Sequence, residues 1–117
     1  MLKIRSDQFD ILKGAEVQKF EDWVSDHLWR CFEQQCQSLG DPSVREKIRY
    51  GIQRAAAYGI TDRREVSMYI DLMIIFGDDF DTDIRLPWAV EILKKPRPPR
   101  MKIFALHSAA KNHLRNS

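Results

Sequence analysis

The chain has 117 residues and a formal net charge of +2, with 44% hydrophobic and 31% charged residues. That length and balance suit one globular domain around a single core, and they leave little room for an enzyme with separate substrate and cofactor lobes. No apolar run approaches the roughly 20 residues of a membrane span, and "MLKIRSDQFD" lacks the unbroken apolar core of a secretory signal, so a cytoplasmic location is expected.

In chain order, Ser6 is placed to cap a short first helix, which Gly14 would separate from the next. Val17, Phe20, Val24, Leu28 and Cys31 then recur at steps of three and four, the spacing of one helix face. Cys31 and Cys36 stand five residues apart, which on one helix points their side chains to different sides, so both are expected as reduced thiols. Leu39 and Gly40 close that helical stretch, Asp41 would cap the next, and Pro42 suits a first helical position because its missing N–H is not needed there. The helix so opened is predicted from Pro42 to Tyr58, with Val44, Ile48, Ile52 and Ala55 inward and Gly51, Ala55 and Ala56 forming a low surface for close approach. Gly59 terminates it.

Thr61 as N-cap and Gly77 as C-cap would enclose the following helix. Its residues 66–76 are apolar almost all the way round, interrupted only by Ser67 and Asp71, the pattern of a helix buried at the centre of a bundle. A short helix is predicted from Pro87 to Lys95. The Pro-rich break at 96–99 follows, and a last, basic helix should present Ile103, His107, Ala110 and Leu114 on one face. The expected fold is therefore all-α: a single-domain bundle of about five to six helices, residues 1–117, around a buried helix 66–76.

"FGDDFDTDIRLPW" invites a metal reading. Asp79, Asp81 and Asp83 match the first half of a calcium loop, but Ile84 stands where the sharp turn needs glycine and Val90 where a bidentate glutamate is needed. The expectation is a structural corner: Gly77 ends one helix, Asp81 or Asp83 accepts from free backbone N–H groups, Pro87 opens the next helix and Trp88 folds back onto the core. His27, His107 and His113 have no metal-ligand spacing, and His27 and His107 read as partnered core histidines. No Gly-rich phosphate loop or nucleophile motif is present. No catalytic residue, metal or cofactor is expected.

Charge is uneven. Seven Lys or Arg and no acid follow residue 93, so the preceding residues carry −5. A basic end of this kind suits an acidic protein partner, the acidic body itself or a nucleic acid, although folded nucleic-acid modules usually interleave aromatics and here only Phe104 lies within the basic segment. The partner-binding candidates are Lys94, Lys95, Arg97, Arg100 and Lys102, with Trp29, which lies off the Val17–Cys31 stripe, as the tryptophan expected at the surface.

The succession "IRSDQFDIL", "FEDWVSDHL", "CQSLG", "IRYGIQRAAAYGI" and "VSMYIDLMIIFGDDFDTDIRLPWAVEIL", closed by a basic helix, resembles a family of small bacterial proteins encoded beside effector, spike and adaptor genes of type VI secretion systems. The resemblance spans nearly the whole chain, and departs where a proline usually follows Phe32 and where Ile84 replaces a proline. It implies a non-catalytic accessory protein, for example a co-adaptor that helps an adaptor or chaperone hold an effector for loading on the spike. The family's motif residues fall on Tyr58, Gly59, Gly77, Phe80, Asp81, Pro87 and Trp88, with structural roles. The alternatives are an immunity protein, for which the acidic body would meet a basic toxin, and a small nucleic-acid-binding regulator using the basic tail.

Overall fold

The computed structural model describes residues 15–116, and every regular element among them is helical. Six α-helices follow in order: α1 Ala15–Cys31, α2 Glu33–Leu39, α3 Asp41–Ala57, α4 Arg63–Phe76, α5 Pro87–Lys94 and α6 Pro99–Arg115, with a 3-10 turn at Phe80–Thr82 between α4 and α5. The expected cap at Ser6 and break at Gly14 lie outside the described residues. No helix among those described is long and apolar enough to cross a membrane.

The predicted central helix is α4. It touches α1, α3, α6 and the 3-10 turn, and it buries Val66, Ser67, Tyr69, Ile70, Leu72 and Met73. Its apolar surface is wider than its buried surface, since Ile75 is exposed. α3 approaches closely at Gly51, where an added Cβ would lie 2.5 Å from Ile70 Cγ1 and 2.8 Å from Met73 Sδ. Only a glycine leaves room for α4 to settle this deeply against α3. The rest of the core follows as expected from Val44, Ile48 and Ala55 on α3, while Ile52 packs at its edge.

Most helix ends stand within a residue of their predicted places, and the differences have local causes. Gly40 holds the N-cap position of α3, with Asp41 already helical. Asp62, rather than Thr61, caps α4: its carboxylate accepts from the backbone N–H of Arg64 and of Glu65 at 3.0 and 3.2 Å. Pro99 belongs to α6 as its first residue rather than to the break, which suits a proline because N1 needs no N–H. Gly59 and Gly77 both have positive φ, +82° and +111°, which L side chains rarely adopt, so each ends its helix as expected.

Cys31 corrects the apolar stripe of α1, because it is exposed while Cys36 is buried on a separate helix, and both are free thiols. The buried arc of α1 runs through Phe20, Glu21, Val24, Ser25 and Leu28. Glu21 occupies an inward position because Arg49 Nε donates to it at 3.0 Å and Arg45 lies 3.9 Å away. Leu114, placed on the inner face of α6 by its spacing, is exposed, and Lys102, Ile103, Leu106 and Ala110 form the buried set.

Candidate binding surface

The aspartate-rich corner holds the densest polar chemistry, and Asp78, Asp79 and Asp81 are turned onto α3. Lys47, Tyr50, Arg54 and Tyr58 follow at steps of three and four, so they form one stripe beside the core face of that helix. Lys47 Nζ donates to Asp78 at 2.5 Å, and Tyr50 Oη donates to Asp79 at 2.5 Å. Arg54 donates to Asp81, whose second donor is the Tyr58 hydroxyl at 2.6 Å. The Asp81 side chain is 0% exposed, so this pair works in a medium that strengthens the attraction and penalises any unpaired charge.

Asp83 has the role expected of it. It accepts from the backbone N–H of Arg85 at 2.9 Å and from its guanidinium at 3.1 and 2.8 Å. Those contacts, the side-chain bond first, lower its carboxyl to about 2. Beneath the turn Phe80 is buried against Tyr69, with ring centroids 5.0 Å apart. Pro87 begins α5, and Trp88 folds back with its ring 5.4 Å from Phe76 and its Nε1 donating to His113 Nδ1 at 3.4 Å. His27 and His107 are partnered as expected: His27 Nε2 lies 2.9 Å from Asp71 Oδ1, and His107 Nε2 donates to the Met68 carbonyl at 3.2 Å. Burial pushes the Asp71 carboxyl up, against the opposing effect of His27.

The corner sets one pH dependence. Burial first, and the bond to Asp81 second, push the Tyr58 hydroxyl from its ordinary 10.0 to about 12. The folded state therefore holds this proton more tightly than the unfolded state, so the contribution is fully present below pH 10 and lost as pH rises through 12. Between those limits the wild-type chain should lose more stability in urea titrations than Tyr58→Phe. Equal slopes against pH would rule out this role for Tyr58.

The candidate partner residues divide. Arg100 is exposed and lines a groove, and Lys94, Lys95 and Arg97 are exposed around the α5–α6 connection. Lys102 corrects the expectation: it is 9% exposed, its ammonium donates to the Tyr58 carbonyl at 3.4 Å and it stands 6.0 Å over the Tyr58 ring. Its aliphatic stem is part of the packing. Trp29 also corrects it, because it packs against the core, whereas Trp23 is 49% exposed. With Glu21 and Ser25 inside, the buried arc of α1 is rotated toward Trp29 and away from Trp23.

The groove, about 800 Å³, runs between α1 and the start of α4. Lys19, Phe20 and Trp23 form one wall, with Phe20 and Trp23 stacked at 6.0 Å. Asp62, Arg63, Arg64 and Glu65 form another, and Arg100 enters from α6. Asp62 is committed to its cap and Arg63 lies 3.3 Å from Glu16. Phe104, one turn along α6 from Arg100, is 70% exposed and extends the same side of that helix. The cations of α4 and the stack on Trp23 were not singled out from sequence; "DRRE" directly after a helix stop was the available signal. Compared with protein-family models, with curated proteins and with solved structures, the chain has no match.

Proposed function

We propose that the chain is a non-catalytic binding protein of bacterial type VI secretion, which acts in the cytoplasm and holds an adaptor, chaperone or effector before the effector is loaded on the spike. The secretion setting comes from the resemblance of "IRYGIQRAAAYGI" and "VSMYIDLMIIFGDDFDTDIRLPWAVEIL" to accessory proteins of those gene clusters. The binding role is supported by one structural observation: an open groove in which an exposed tryptophan is bordered by lysine and arginine side chains. Exposed Trp and Arg side by side are the composition of interface centres.

The immunity reading drew on the excess of acids before residue 94. Asp78, Asp79 and Asp81 are occupied by α3, and that weakens the case for an acidic face aimed at a basic toxin. The two readings differ in the cell. An affinity-tagged full chain should recover an adaptor, chaperone or effector from a neighbouring gene, and deleting the gene should stop export of that effector while leaving the producing cells viable. Death of the producer on deletion, with a toxin as the recovered partner, would replace this proposal with the immunity role.

A further inference from the structure

Resting on the binding role proposed above, we infer that the groove between α1 and α4 is the docking site for an acidic segment of a protein partner, one aromatic or aliphatic side chain of which lies on Trp23 while neighbouring carboxylates meet Arg63, Arg64 and Arg100. The apolar part of the site is built to take such an anchor. Phe20 is only 4% exposed and its ring stacks with that of Trp23, so the half-exposed indole is braced by a buried neighbour. Covering a half-exposed tryptophan of this kind is the commonest source of concentrated binding energy at protein interfaces.

Charge selects the chemistry of the remainder. Four cations, Lys19, Arg63, Arg64 and Arg100, face the lining carboxylates Asp62 and Glu65 and the neighbouring Glu16, which pairs with Arg63 at 3.3 Å, and the Asp62 carboxylate accepts from two backbone N–H groups. The excess is positive and is mostly guanidinium, whose planar fork matches a carboxylate. Glu65, which lines the groove with Arg100, is pushed up by burial and then by Asp62, against the opposing charge of Arg100. A nucleic-acid strand carries a phosphate at every nucleotide and would have to pass both lining carboxylates. A peptide can place its acids opposite the arginines and neutral residues opposite Asp62 and Glu65.

The test uses the full chain and a fluorescein-labelled peptide of Asp and Glu residues around one Phe and one Leu, read by fluorescence anisotropy. Trp23→Ala should weaken binding by about tenfold, a typical loss for an interface tryptophan. Arg63→Glu with Arg64→Glu should weaken it further, whereas Arg30→Glu with Arg115→Glu, the same charge change at exposed positions outside the groove, should stay within about twofold. Replacing Phe and Leu of the peptide by Ser should abolish the effect of Trp23→Ala. Circular dichroism melts keep the comparison to folded variants. The inference falls if Trp23→Ala binds the peptide as wild type does, if the Arg30/Arg115 pair weakens binding as much as the Arg63/Arg64 pair, or if single-stranded DNA of equal charge binds more tightly than the peptide. A partner recovered from cells whose binding survives Trp23→Ala would also remove the groove from the account while leaving the proposed function standing. Peptide binding that follows the expected order, without any partner in the secretion cluster, would do the reverse.

Discussion

Arg54→Met should destabilise the protein more than Asp81→Asn, although both remove the same ion pair. The two partners stand in different media: the Asp81 side chain is 0% exposed and that of Arg54 is 32% exposed. Without Arg54, a carboxylate remains enclosed with only the Tyr58 hydroxyl as donor, and losing one partner of a buried pair costs about 3–5 kcal/mol. Without the Asp81 charge, Arg54 can turn to water, and an asparagine oxygen still accepts from Tyr58, so the loss approaches that of one hydrogen bond, about 1–2 kcal/mol. Urea denaturation of the two variants measures the difference. A larger loss in Asp81→Asn would mean that the buried carboxylate has another source of compensation.

Ile70→Asp should unfold the domain at neutral pH. Ile70 is 0% exposed and its side chain occupies the space left by Gly51, so a carboxylate there meets packed apolar groups. The cost of an isolated buried charge is several kcal/mol against a total stability of about 5–15 kcal/mol. Part of the loss should disappear in acid. An apolar site raises the folded-state pKa of the new aspartate, so its penalty is absent below the unfolded value near 3.9 and grows above it. Ile70→Ala, which leaves a cavity and costs about 2–5 kcal/mol, should lack that dependence. A melting temperature equal to wild type by circular dichroism would show that helix 66–76 is not the buried centre.

The elements were legible where backbone chemistry is local. Gly40 with Pro42, Gly59, Gly77 and Pro87 mark stops and starts by conformations that other residues adopt poorly, and the helix ends stand within a residue or two of those marks. The all-apolar run after Val66 likewise revealed α4, because such a surface has to be covered. Side-chain direction was harder to read wherever a polar residue takes an inward place. Glu21 lies inside because Arg49 on another helix reaches it, and no spacing within α1 announces a partner 28 positions away. Once Glu21 and Ser25 are inside, Trp29 turns to the edge of the core and Trp23 to the surface. Lys102 escaped for a related reason: its charge suggests solvent, while the residue is buried and its ammonium reaches the Tyr58 carbonyl and stands over the Tyr58 ring. The grip on the corner was present as the spacing of Lys47, Tyr50, Arg54 and Tyr58, but a polar helix stripe beside an acidic loop looks the same as two solvated surfaces until the loop is folded over.

That stripe also makes the length of α3 part of the specification. One residue inserted before Arg54 would turn everything after it by about 100° and advance it by about 1.5 Å, taking Arg54 and Tyr58 away from Asp81 together and leaving Lys47 and Tyr50 in place. Each side chain would still be present, and the composition would hardly change. The connection at residues 95–98 has no such register to keep, since its residues are exposed. Among descendants of this chain, substitutions at the exposed positions of α3 can be tolerated singly, whereas changes in the number of its residues should be purged and changes in the length of the α5–α6 connection retained.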